Sequence, residues 1–365
     1  MKIVADKSQR AMALMVVLIA IFVLSALVGA FAFYMKVETK LAMNAQQESY
    51  KDSWQGASDG VERAKWYLAN GTPGCKYTSL NQRWAGGPGD ECETNGPLAD
   101  IPLNDPNDPF KLKITDLDAK INVNLLLTLP PQESQDILRR AMLLVGCAGG
   151  DIDTASSSIL DWIDPNPDSR VMRPNGAKSD YYQSLDPPYV AKNGPIDDLS
   201  ELLLVKGIRE QPWIYSKDFR WVAFQQVDRH GRMMEPPTNT VYLDDLFTPL
   251  SSVAMNGLKV NLNTTSAEVL QVLGIDEPTA VDLIARRDEA PFIDIRDAAG
   301  RFPQLAQILN RYCVVRSQTF KVEVTVSNST RKYTAVIGIS NPKDVQLLSF
   351  YWEDPDAQNV PAVEQ

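Results

Sequence analysis

At 365 residues the chain has room for one large or two modest domains, and its 44% hydrophobic share supports a packed core. A formal net charge of −10 excludes a general nucleic-acid binder, which needs a basic surface to displace phosphate counterions. A single histidine and four cysteines without CxxC spacing exclude a Cys/His zinc site.

The first element is apolar. Residues 12–35 contain no charged side chain, and roughly 20 apolar residues suffice to span a bilayer as a helix. Lys2, Lys7 and Arg10 lie just before this run, which predicts a cytoplasmic N-terminus and a body on the far side. A cleaved signal peptide has a shorter apolar run and a small-x-small site after it. Here the run passes into a second helical pattern instead. Trp54, Ala57, Val61, Ala64 and Leu68 recur at spacings of three and four, the mark of one apolar helix face. Asn70-Gly71-Thr72-Pro73-Gly74 stops it. The rod to about Leu68 is on the order of 80 Å long, half in lipid and half packing on the body. Ala26, Gly29, Ala30 and Ala32 permit close approach of neighbouring rods.

In the body, Phe110, Leu112 and Ile114 alternate with Lys111, Lys113 and Thr115, and Ile121 and Val123 resume the alternation after a turn at 116–120. This predicts a hairpin with one buried face. Helices follow over 132–145, 155–163 and 199–206, the last with Asp198 as N-cap and Gly207 beyond it. Thr265-Ser-Ala-Glu268 forms a capping box that opens a further helix, ended by Gly274. Pro278 suits the first turn of the next, running to about Arg287. Finally Phe320, Val322, Val324 and Val326, then Tyr333, Ala335, Ile337 and Ile339, alternate on either side of a turn at 327–330. The fold class is therefore α+β: a small antiparallel sheet packed on the rod, interrupted by a helical insertion of roughly 160 residues, too large for a loop.

Cys75 and Cys92 bracket one Gly/Pro-rich loop. In an oxidising compartment a disulfide there is sterically easy, the other reading being two unpaired thiols. Cys147 and Cys313 read as buried small hydrophobes. The chemical candidate is an acidic loop of Asp161, Asp164, Asn166 and Asp168, with Asp180 and Asp151 or Asp153 nearby. Asp164-Pro-Asn166-Pro-Asp168 offers oxygens at alternate positions, as calcium loops do, although it is not an EF-hand. The other reading is a turn-forming, helix-capping loop. Residues 260–287 have the outline of a helix-hairpin-helix, but Asp276 and Glu277 stand where phosphates would bind, so a helical packing unit is expected. His230 has no nucleophile elbow around it, and no enzymatic activity is expected. Trp162, Trp213 and Trp221 read as core or subunit-contact aromatics.

The basic leader ending Gln9-Arg10-Ala11, followed at once by Met12-Ala13-Leu14-Met15-Val16-Val17-Leu18, resembles a prepilin leader. The resemblance implies cleavage by prepilin peptidase between Ala11 and Met12, with methylation, although Ala11 stands where most such leaders carry Gly. The fifth mature position, usually Glu, is Val16. The segments Ile114-Thr-Asp-Leu-Asp-Ala-Lys-Ile-Asn-Val-Asn124, Leu160-Asp-Trp-Ile-Asp-Pro-Asn166, Gly176-Ala177, Pro187-Pro-Tyr-Val-Ala-Lys-Asn-Gly194, Leu199-Ser-Glu-Leu202 and Val260-Asn-Leu-Asn-Thr-Thr-Ser-Ala-Glu-Val-Leu270 follow in the body. Together they are similar to general secretion pathway protein K, the large minor pseudopilin of type II secretion.

That resemblance implies a division into a leader (1–11), a transmembrane helix (12–35) and its periplasmic continuation (36–70). A variable loop with the first strands of the pseudopilin core (71–128), an inserted α-helical domain (129–312), the C-terminal strands (313–355) and a tail (356–365) follow. It also implies a place at the pseudopilus tip with I- and J-type minor pseudopilins, contacts with the major pseudopilin and the inner-membrane assembly platform, and Ca2+ in the helical domain. The family pattern there is Gly-Ala-Glu-Asp, where this chain has Gly176-Ala177-Lys178-Ser179. The loss of two carboxylates weakens a calcium site unless Asp180 substitutes. Two other readings stay open: a signal-anchored periplasmic binding protein, and a DNA-uptake component using the helix-hairpin-helix outline.

Overall fold

The first helix, α1 (Lys2–Gly71), runs through the whole predicted rod. The computed structural model describes residues 2–71, 75–93, 101–217, 240–250, 257–327, 329, 331–341 and 344–353. His230, Trp221 and the tail lie outside them. The chain forms two compact units, 1–58 and 59–365. In the first, Leu14–Asn44 is long and apolar enough to cross a membrane. Its large side chains, Val16, Phe22 and Phe31 among them, are exposed. Ala57, Val61, Ala64 and Leu68 are buried as their spacing predicts, together with Tyr67, while Trp54 is 48% exposed.

The strands are β1 (Phe110–Asp116), β2 (Ile121–Asn122), β3 (Phe247–Thr248), β4 (Val260–Asn261), β5 (Cys313–Val314), β6 (Thr319–Val326), β7 (Lys332–Asn341) and β8 (Asp344–Glu353). Phe110, Leu112 and Ile114 are buried, as the alternation requires. The expected hairpin with Ile121 does not form. β1 pairs antiparallel with β6, Phe110 opposite Val326 and Asp116 opposite Phe320. β7 and β8 extend the sheet in the order β1-β6-β7-β8. Ile121 and Asn122 instead pair in parallel with Phe247 and Thr248. Alternation reports which side of a strand is buried, not which strand lies beside it.

The end of α1 packs on the inner face of this sheet, and Gly60 sets the spacing. A Cβ at that position would lie 2.7 Å from Val324 Cγ1 and 3.2 Å from Leu112 Cδ2. A missing side chain here lets the helix backbone approach β1 and β6. Arg63 fastens the same helix to the segment before β1 by an ion pair to Asp108 at 3.2 Å and a hydrogen bond to the Pro102 carbonyl.

The remaining helices are α2 (Pro131–Leu144), α3 (Ile152–Ile163), α4 (Ser179–Gln183), α5 (Leu243–Leu246), α6 (Ala267–Val272), α7 (Glu277–Glu289), α8 (Ile295–Arg301) and α9 (Ala306–Tyr312). α2 packs on α3 and on α6, and α6 on α7. One core runs through them from Ile137 and Leu138 to Leu270 and Leu283. The segment expected to be helical at 199–206 is a 3-10 turn over Leu199–Leu204, capped by Asp198 and closed by a capping box with Glu201. The cap of α6 is Ser266, whose hydroxyl accepts from the Val269 N–H.

Candidate functional site

The acidic loop follows α3. This helix buries its whole second half, Asp161 included, so a carboxylate enters the core and must find donors there. Arg173 supplies them: its Nη1 lies 2.8 Å from Asp161 Oδ1, and its backbone N–H donates to both carboxylate oxygens. Burial pushes the Asp161 carboxyl up, against these donations. Gly176 passes over the same carboxylate so closely that a Cβ would meet Asp161 Oδ2 at 1.9 Å. Gly176 is thus required by the packing of Asp161.

The loop itself is a run of side-chain turns. Asp164 Oδ1 accepts from the Asn166 N–H, Asn166 Oδ1 from the Asp168 N–H, and Asp168 Oδ1 from the Arg170 N–H, each at 3.0 Å. Such turns are what Asp and Asn do locally, and they engage the oxygens offered to a metal. Asp168 also holds the Arg170 guanidinium, with Nη2 at 2.7 Å, which keeps its carboxyl below the usual range. Burial works against ionisation of Asp164, yet the Asn166 N–H and the charges of Lys178 and Arg173 together hold it low.

The centre of the loop is filled by Lys178, which is 1% exposed. Its Nζ donates to the carbonyls of Asn166 at 2.6 Å and Asp161 at 3.1 Å. The Asp164 carbonyl and Oδ2 stand at 3.5 and 3.7 Å. Asp180 is exposed in the first turn of α4. Asp153 pairs with Arg139 at 2.6 Å and Asp151 accepts from Gln211. Among the described residues, no three His, Cys, Asp or Glu side chains converge to hold a metal ion.

The 114–124 and 260–270 segments meet in a buried polar hub. Asp116 continues the buried face of β1, and its Oδ2 accepts from Ser317 Oγ and Thr264 Oγ1, each at 2.5 Å. Asn261 Nδ2 donates to Ser317 Oγ, the Thr78 carbonyl and Asp116 Oδ2. Asp118 Oδ2 receives the N–H groups of Gln318 and Thr319. Asn124 brackets Ile196 by giving to its carbonyl and taking from its N–H, and Asn263 does the same for Phe292. Lys120, its charged form disfavoured by burial, donates to the Asp244 carbonyl. These side chains stitch the sheet to the helical insertion. Their motifs were visible in the sequence but not their task; the signal was a carboxylate, Asp116, in phase with Phe110, Leu112 and Ile114.

In the hairpin between α6 and α7, Asp276 caps α7 by accepting from the Thr279 N–H and hydroxyl. Arg287 is buried and donates to the Leu262 and Thr265 carbonyls, and Arg286 faces Asp282. The Thr279 amide at the start of α7 thus receives the chain's own carboxylate. Cys75 and Cys92 are joined by a disulfide, and Cys147 and Cys313 are buried free thiols. Trp162 packs edge-on against Tyr182 at 5.2 Å and donates to Glu201.

An apolar helix that continues onto a small antiparallel sheet, with a helical domain inserted between the strands, defines a pseudopilin-type fold. Residues 119–215 match the family model described as type II secretion system (T2SS), protein K. Among solved structures, a chain of the GspK-GspI-GspJ complex from the type 2 secretion system of enterotoxigenic Escherichia coli is similar to this one. The TM-score is 0.54 at 16% identity, over 85% of this chain and 99% of that one. No curated protein matches the chain. The resemblance to general secretion pathway protein K is thereby borne out, and with it the pseudopilin fold. Residues 119–215 thus resemble protein K of type II secretion, and the chain carries one helix, at Leu14–Asn44, long and apolar enough to cross a membrane.

Proposed function

We propose that this protein occupies the tip of a periplasmic pseudopilus together with I- and J-type minor pseudopilins, supporting pseudopilus assembly and the export of folded proteins across the outer membrane. The observation that carries the reading is Val16. Pilin-like subunits place a carboxylate there to meet the N-terminal amine of a neighbour, and a charge in lipid is costly without such a partner. Val16 is an exposed apolar residue in an uncharged anchor, so this subunit can end a stack but lacks the group that continues one. In this reading prepilin peptidase cuts between Ala11 and Met12, the N-terminus is cytoplasmic and the body periplasmic. The Cys75–Cys92 disulfide accords with an oxidising compartment. The major pseudopilin and the inner-membrane assembly platform are the further contacts expected.

The test is co-expression of the full chain with its I- and J-type candidates, followed by affinity purification from detergent. A stable complex containing all three is expected. Recovery of the chain alone would remove the tip reading, and an intact Met1 on N-terminal sequencing would favour a plain signal-anchored periplasmic protein.

A further inference from the structure

The resemblance implies a calcium ion in the 161–180 loop, and the residues present do not fit one. A calcium site assembles six to eight oxygens around a hard cation, several of them carboxylate. Here the carbonyls of Asp161, Asp164 and Asn166 do converge, together with Asp164 Oδ2, all within 3.7 Å of one point. That point is the Lys178 ammonium. It is buried, and it belongs to one of the two side chains that stand where the family pattern has carboxylates.

The charges agree with the geometry. The two carboxylates turned into the loop are Asp161 and Asp164, and two cations already face them. Arg173 Nη1 lies 2.8 Å from Asp161 and 3.3 Å from Asp164, and Lys178 stands 3.7 Å from Asp164. The third carboxylate, Asp168, is committed to Arg170 at 2.7 Å. A divalent ion in this cage would sit against an ammonium with no carboxylate left to neutralise it, and like charges at such distance in a buried site repel strongly.

We infer that the Lys178 ammonium, supported by the Arg173 guanidinium, is the built-in cation of this loop, and that the fold of the loop is independent of divalent metal. An ammonium can take this place because it presents three N–H donors to a fixed set of carbonyls. It cannot dissociate, so the loop keeps its shape whatever the calcium concentration around it. The inference stands on the loop alone and is unaffected by whether the protein lies at a pseudopilus tip.

The experiment uses the full chain in detergent micelles, stripped of metal by chelator. Thermal unfolding is followed in EDTA, in millimolar CaCl2 and in NaCl of equal ionic strength, and calcium is titrated calorimetrically. The expected result is one Tm in all three solutions and no saturable heat. A Tm that rises in calcium beyond the NaCl control, or a saturable heat, overturns the inference without any variant being needed. Lys178→Met should lower Tm in every solution by leaving the carbonyls unsatisfied, and a Tm equal to that of the parent would also overturn it. Lys178→Glu restores a carboxylate to the cage and should have a Tm that falls in EDTA and recovers in calcium. An identical Tm in both would count against the cage as a cation site.

Discussion

Asp116 Oδ2 and Asn261 Nδ2 lie 3.3 Å apart although 145 residues separate them, and this contact ties the end of the sheet to the helical insertion. Burial, then the nearby Asp118 charge, pushes the Asp116 carboxyl up to about 7. The folded protein therefore binds a proton that the unfolded chain has lost between about pH 4 and pH 7. The stability it contributes is complete below the unfolded value and is lost as pH rises through about 7. Asp116→Asn should remove this falling limb. Denaturant midpoints of parent and variant, measured from pH 4.5 to 8, check it; parallel curves would contradict the assignment.

Glu323 has the opposite sign. Lys332 at 2.6 Å, Lys321 at 3.1 Å and Lys113 at 3.6 Å surround it on the sheet. Burial opposes its ionisation, yet Lys332 and Lys321 hold its carboxyl down at about 2. Its contribution is present above the usual glutamate value and is lost as pH falls toward about 2. Glu323→Gln should cost on the order of 2 kcal/mol at neutral pH and nothing near pH 2. Acid unfolding of the two proteins gives the comparison.

Gly60 should resist replacement despite its place inside a helix, where alanine is intrinsically better by about 1 kcal/mol. The added methyl would meet Val324 Cγ1 at 2.7 Å, and overpacking of this kind costs about 1–3 kcal/mol. Gly60→Ala is expected to be destabilised on balance, and Val324→Ala in the same chain to recover part of the loss. A stabilised single variant would show that the helix and sheet can separate freely.

The cysteines should divide cleanly by reactivity. Burial pushes the Cys147 thiol up to about 11 and the Cys313 thiol up to about 12, so neither is a thiolate at pH 8. Alkylation of the native chain should label none; denaturation without reductant should expose these two, and reductant the remaining pair. Cys75→Ser should lower stability by about 3 kcal/mol, the loop-closure value for a ring of this size. Mass spectrometry of the alkylated chain and urea melts read the two effects.

Much of the fold was legible because local pattern reports burial. The uncharged run of 12–35 marks the anchor, and the spacing of Ala57, Val61, Ala64 and Leu68 marks the buried face of α1. The alternations at 110–114 and 320–326 mark two strands. The short strands β3 to β5 were not legible, since two residues carry no period, and β2 was read at Ile121 but with the wrong neighbour. Of the acidic loop, the sequence showed oxygens at alternate positions and one lysine out of keeping with them. It could not show that the lysine enters the loop.

By itself, then, the sequence determined the anchor, the class of fold, and the family resemblance carried by motifs such as 114–124 and 260–270. Only the tertiary structure decided that β1 lies beside β6, that Asp116 meets Asn261, and that Lys178 fills the cage of the acidic loop. The reason is physical: periodicity is a property of one segment and is set by which side faces water, whereas a partner is chosen by groups that become neighbours only when the chain has closed over them.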